Sequence, residues 1–238
     1  MWSKAVVTKA GKRLRNIYNN IDRGKLSSVS EAIQIIKFNS MVKFNETVEI
    51  SINLNVNPKR SEQMVRGVVS LPYGTGKSIR VAVFAKNVEA DEARLAGAEV
   101  VGAEDLMEEV KNGRIDFNRL IATPEMMVMV SKLGKVLGPR GLMPNPKLKT
   151  VTRNTAEAVK LAKAGQLEFR VEKAGIVHAG IGKVSFPENH LVDNAKAFIN
   201  AIINAKPLGI KGSYIRRVSI SSTMGPSIKV DSAVLNSA

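Results

Sequence analysis

The sequence predicts an α/β protein of two domains: a discontinuous α+β open-sheet domain I built from both ends of the chain, with a Rossmann-like α/β domain II inserted into it. Three observations predict this. Strand texture changes from alternating polar and apolar residues to unbroken apolar runs and back again. Short strands alternate with helices only in the middle, as in a parallel sheet with helices on its faces. Positive charge avoids that middle: residues 1–71 hold 12 Lys and Arg against 5 Asp and Glu, residues 72–158 hold 13 against 11, and residues 159–238 hold 11 against 5. Domain I is therefore expected over residues 1–71 and 159–238, and domain II over residues 72–158.

Residues 9–21 read as a basic amphipathic helix. Ser30 is the expected N-cap of a second helix carrying Ile33, Ile35 and Ile36 and stopping near Asn39 and Ser40. Residues 47–56 alternate almost without fault, the period of a strand with one covered and one open face. Asn57-Pro58-Lys59-Arg60 ends it, and residues 65–71 resume a strand before the turn at Pro72-Tyr73-Gly74-Thr75-Gly76. Residues 79–85 are apolar without alternation, as in a strand covered on both faces. An acidic helix over 90–95 follows, then strand 99–101, helix 104–110, strand 119–122 and a helix over 124–133 with Thr123 and Pro124 at its start. After a helix over 155–163 the two-sided style returns in strands at 166–172, 176–186 and 213–222, with a long helix over 188–206.

The whole chain of 238 residues carries a formal charge of +15 with a pI near 10.1, and is 44% hydrophobic but only 5% aromatic. Such a chain can bury a core, and its field suits a polyanion, because phosphates release counterions on meeting Lys and Arg. Nucleic acid is the expected partner class. No membrane partner is expected, since no apolar run is long enough to span one. Lys4, Lys9, Lys12, Arg13 and Arg15 occupy the place of a secretory signal's apolar core, so a cytoplasmic location is expected. With no cysteine and only His178 and His190, thiolate chemistry and His-rich metal sites are excluded, and no cofactor is expected. No catalytic constellation emerges, so the protein is not expected to be an enzyme.

Gly74-Thr75-Gly76-Lys77-Ser78 invites a phosphate-loop reading, but Leu71 stands where the first glycine of that motif belongs and a strand follows instead of a helix. A nucleotide-dependent RNA-remodelling factor would need that loop; a flexible turn between domains is the better reading. Residues 134–147 pack three glycines, three prolines and three basic residues into a run too long for a simple turn. It suits either contact with a phosphate backbone or a structured connection with solvated cations. At Thr223-Met224-Gly225-Pro226 a strand ends in a loop offering a hydroxyl, a soft thioether and an unhindered backbone, groups suited to sugars, phosphates and base planes. Lys43-Phe44-Asn45-Glu46-Thr47 sets an aromatic beside a base and a hydroxyl, although Phe44 alone would ordinarily be assigned to a core. Lys173, Gly175, His178 and Lys183 punctuate a third strand region.

At these residues the sequence resembles the bacterial large-subunit ribosomal protein L1 family. The resemblance rests on Lys43-Phe44-Asn45-Glu46-Thr47-Val48-Glu49, on Val65-Arg66-Gly67 through Leu71-Pro72-Tyr73-Gly74-Thr75-Gly76-Lys77, on residues 134–147 and on Thr223-Met224-Gly225-Pro226. It implies the same two-domain plan, with a hinge. It also implies a structural constituent of the large ribosomal subunit that binds a 23S rRNA three-way junction, the mobile stalk. Contact with deacylated tRNA leaving the exit site, and repression of its own operon through a similar mRNA structure, are implied as well. The RNA surface so implied comprises Phe44, Glu46, Thr47, Thr223, Met224 and Gly225, with Lys43, Lys173, His178 and Lys183 as further additions. Some relatives carry an RNA-touching serine at the position of Arg217, and a long cation there departs from the pattern.

Overall fold

The computed structural model describes residues 11–19, 21–22, 24–210 and 212–231. The chain divides into two compact units, residues 1–76 with 167–238 and residues 77–166. These divisions fall at 76/77 and 166/167, not at 71/72 and 158/159, because the turn after Leu71 is fastened to the first unit and the helix over 155–163 packs whole in the second.

Unit 1 opens with α1 (Lys12–Asn19), which buries only Ile17. It is shorter than the expected 9–21, of which residues 9, 10 and 20 lie outside the described residues. Helix α2 (Val29–Phe38) starts at Ser28, not Ser30. The reason is a capping box: Ser28 Oγ accepts from the Glu31 N–H at 3.2 Å and Glu31 Oε2 accepts from the Ser28 N–H at 3.2 Å. That exchange needs a carboxylate three residues on, which Ser30 lacks.

Strand β1 (Thr47–Leu54) buries Val48, Ile50, Ile52 and Leu54 and turns Thr47, Glu49, Ser51 and Asn53 to the other face. A one-residue slip would exchange the two sets and cost roughly 1.5–3 kcal/mol for each aliphatic side chain put into water. β1 pairs antiparallel on one side with β7 (Ile176–Lys183) and on the other with β8 (Ile215–Ser222), so head and tail of the chain share one sheet. A strand absent from the sequence reading, β9 (Ile228–Val230), pairs antiparallel with β8 and completes the order β7-β1-β8-β9. The buried face of this sheet is covered by α2 and the long α8 (Glu188–Asn204), whose Leu191, Ala195, Phe198, Ile199 and Ile202 recur on one helical stripe. Strands β2 (Arg66–Ser70) and β6 (Gln166–Arg170) form a separate two-stranded sheet.

Unit 2 is built on the parallel strands β3 (Val81–Phe84), β4 (Val100–Gly102) and β5 (Arg119–Ala122), in the order β4-β3-β5. Its helices are α3 (Asn87–Leu95), α4 (Glu104–Lys111), α5 (Met127–Ser131), α6 (Gly134–Leu137) and α7 (Thr155–Lys163). Ala82 and Phe84 pack with Leu106, Val130, Leu133 and Leu137 on one side, Val81 and Val83 with Ala93, Val159 and Ala162 on the other. Both faces are covered, which explains the unbroken apolar runs. The expected helix over 124–133 contracts to α5, because the Met126 N–H bonds to Thr123 O and the Met127 N–H to Pro124 O, three-residue turns tighter than an α-helix.

Candidate nucleic-acid interface

The two loops singled out in the sequence meet at one end of the unit 1 sheet, where β1 begins and β8 ends. The Thr223 N–H donates to Thr47 O at 3.1 Å, and the Thr47 N–H donates to Thr223 Oγ1 at 3.1 Å. Between them lies Glu46, 1% exposed. Its Oε1 accepts from the Met224 N–H at 2.7 Å and its Oε2 from the Ser40 hydroxyl, while its carbonyl accepts from the Val184 N–H at 3.0 Å. Two chain segments are thus tied to the carboxylate and a third to the carbonyl of the same residue, and a carboxylate with both oxygens engaged is a strong acceptor. Glu46, expected among the contact residues, is instead enclosed by the loops it holds.

What those loops present outward is apolar and basic, the Thr223 hydroxyl being bonded to the Thr47 backbone and the Thr47 hydroxyl to Lys183. Phe44 is 53% exposed and Met224 50%, with Lys43 and Thr223 exposed beside them. The core placement that Phe44 would ordinarily receive is overturned, because Glu46 and Val48 turn inward and leave residue 44 in the approach to the strand. Lys183 Nζ donates to Thr47 Oγ1 at 2.9 Å and stands in register with Thr47, keeping a cation at the same end. Asn45 braces that corner by donating to Ser185 Oγ at 2.9 Å. Gly225 sits at a close approach: its N–H donates to Ser222 O at 3.1 Å, and a Cβ there would press on Ser222 Oγ and force that hydroxyl to move.

Lys43, Phe44, Thr47, Lys183, Thr223, Met224 and Gly225 therefore assemble around Glu46. Two expected members stand apart. His178 lies opposite Ser51, mid-sheet on the open face, with Nε2 at 3.5 Å from Glu172 Oε1. Lys173 lies in the turn before β7, beyond the far end of β1, about 20 Å along the strand from Thr47. Arg217, opposite Asn53, shares that far end of the open face.

Sequence reasoning missed two supporting residues. Arg13 in α1 donates from Nη2 to Met224 O at 2.7 Å across 211 positions of sequence, and nothing local in the sequence signals that bond. Asn194, fully buried, had a signal, being polar on the apolar stripe of α8. Its side chain accepts from the Tyr73 N–H and donates to Gly74 O and Ile181 O, and Tyr73 stacks on His190 at 3.7 Å. The turn read as flexible is thus pinned, with Gly74 and Gly76 at positive φ. In unit 2, residues 134–147 bury Leu137 and Pro144 and expose Lys135, Arg140 and Lys147, so the run is a structured connection that also displays its charges.

Among the described residues no group of His, Asp or Glu is arranged to hold a metal ion, and no helix is long and apolar enough to cross a membrane. Residues 35–226 match the model of the ribosomal protein L1p/L10e family, a span that takes in both loops of the interface. The chain belongs to the ribosomal protein L1p/L10e family, structural proteins of the large ribosomal subunit that bind rRNA.

Proposed function

We propose that the end of the unit 1 sheet grips folded RNA by shape, with Phe44 and Met224 against bases or sugars, Thr47 and Thr223 toward the backbone, and Lys43 and Lys183 toward phosphates. The observation that carries this reading is Glu46, a buried carboxylate holding two exposed loops in one geometry. The target is a three-way junction of 23S rRNA forming the mobile stalk of a bacterial, cytoplasmic ribosome. From there the protein assists release of deacylated tRNA from the exit site. When rRNA is scarce, the same surface captures a similar structure in its own operon mRNA and represses translation; competition of the two RNAs for one site supports this, and simultaneous binding overturns it. His178, Lys173 and Arg217 extend the footprint along the open face, and the terminal segments forming unit 1 act as the RNA-binding domain.

Met224→Asp tests the surface. A carboxylate there faces phosphates and should weaken binding to a large-subunit rRNA fragment at least 100-fold, about 2.7 kcal/mol, without changing the unfolding midpoint. Wild-type affinity in the folded variant would discard the assigned surface.

A further inference from the structure

The chain of 238 residues has no cysteine, so no thiolate competes for an oxidant and its thioethers are the softest nucleophiles it offers. Exposure then sorts the methionines. Met41, Met64 and Met224 are exposed, whereas Met107, Met127, Met129 and Met143 are half-buried and Met126 is buried. Of the exposed three, Met64 follows the turn that ends β1, at the far end of that strand from Thr47, and Met41 lies in the stretch leading to Phe44. Met224 alone stands on the pair of loops assembled around Glu46.

Its main chain is held on both sides. The Met224 N–H donates to Glu46 Oε1 at 2.7 Å, its carbonyl accepts from Arg13 Nη2 at 2.7 Å, and the Gly225 N–H closes a turn onto Ser222 O directly after it. Because those bonds run through the backbone, a change of polarity at the sulfur leaves the loop in place. The half-exposed side chain keeps an added oxygen in water while the protein is free. Against RNA that oxygen must give up its water, and it meets phosphate oxygens, which are acceptors as it is.

We propose that Met224 is an oxidation site through which peroxide lowers the affinity of the unit 1 surface for RNA, and that bound RNA shields it. The inference rests on the reading that places Met224 against RNA. In the step itself the thioether sulfur attacks one oxygen of hydrogen peroxide: an S–O bond forms, the O–O bond breaks, and the proton on the attacked oxygen passes to the departing one, which leaves as water. The sulfur is oxidised by two electrons to the sulfoxide and the peroxide is reduced by two. A thiol-dependent sulfoxide reductase reverses the change, two thiols becoming a disulfide and the oxygen leaving as water.

The test treats the full-length protein with hydrogen peroxide, free and bound to a large-subunit rRNA fragment, at a dose that leaves the buried Met126 unmodified, and reads oxygen gain at each methionine by peptide mass. The treated wild type should bind the fragment about tenfold more weakly than its untreated sample, and a sulfoxide reductase with dithiothreitol should restore it. Met41→Leu should show the same loss, whereas Met224→Leu, measured against its own untreated sample, should lose less than about twofold. Bound RNA should suppress oxygen gain at Met224 and leave that at Met64 unchanged. An equal loss in Met224→Leu and wild type, or full affinity in wild type carrying the Met224 sulfoxide, would overturn the proposal. Shielding of Met224 by RNA with full affinity in the sulfoxide would remove the oxidation effect and leave the unit 1 surface standing; no shielding, together with wild-type affinity in Met224→Asp, would remove both.

Discussion

Unit 1 covers its four-stranded sheet on one face with α2 and α8 and leaves the other face polar, whereas unit 2 buries its three-stranded sheet between helices on both sides. A one-sided sheet offers strand ends, loops and an open face to a ligand, each held by the ladder beneath. A sheet covered twice can offer only its rim and the connections that cross it. The difference also sorts the buried polar groups. In unit 1, Glu46 and Asn194 each tie together three segments, while in unit 2 the buried Thr155 makes one bond, Oγ1 to Glu89 O at 2.8 Å. Glu46 and Asn194 in unit 1 join segments distant in sequence, whereas in unit 2 Thr155 fastens one helix and the buried Thr150 braces only its own turn at Asn145.

The largest test of that contrast removes one buried acceptor and one buried donor. Glu46→Ala leaves the Met224 N–H and the Ser40 hydroxyl unpaired, and should cost about 2–3 kcal/mol of stability and about 100-fold in rRNA affinity. Thr155→Val should cost about 1–2 kcal/mol by urea unfolding and leave rRNA affinity within about twofold. A folded Glu46→Ala chain that binds normally would remove the carboxylate from any positioning role. A smaller effect is expected at Arg13, whose bond to Met224 O comes from α1. Arg13→Ala should weaken rRNA binding about fivefold, near 1 kcal/mol, and the salt slope should stay within about half a unit because the guanidinium holds the loop and no phosphate. A slope reduced by about one would make Arg13 a phosphate contact instead.

How much of this was legible follows from the range of each signal. The alternation of β1 and the unbroken run of β3 were readable because burial of one face or two acts residue by residue. Ser28 could have been chosen over Ser30 from the position of Glu31, a local rule applied at the wrong serine. Strand β9 could not: three residues carry little periodicity, and only pairing with β8 makes them a strand. Glu46 is the instructive case. Its neighbours in sequence are polar and surface-like, and its burial arises from Ser40, Val184 and Met224 converging on it, two of them more than 130 residues away. Convergence of that kind is set by topology and leaves no trace in a window of chain.

The smallest effect expected is a difference in how the units respond to pH. In unit 2, burial pushes the Glu99 carboxyl up, but the Lys163 ammonium at 2.9 Å and the Val81 N–H at 2.7 Å outweigh it and hold the group below its ordinary 4.5. A depressed carboxylate stabilises the fold above its unfolded value, and that contribution is lost as pH falls through the folded one. In unit 1, burial pushes Tyr214 up from 10.0 to about 12, and its hydroxyl has no hydrogen-bond partner among the described residues. Here the sign reverses: between pH 10 and about 12 the unfolded chain ionises while the folded phenol keeps its proton, so stability falls as pH rises. Urea midpoints should therefore lose their acid slope in Glu99→Gln and their alkaline slope in Tyr214→Phe, each variant leaving the opposite limb unchanged. An alkaline slope that persists undiminished in Tyr214→Phe would assign that limb to another group and remove the pH contrast between the units.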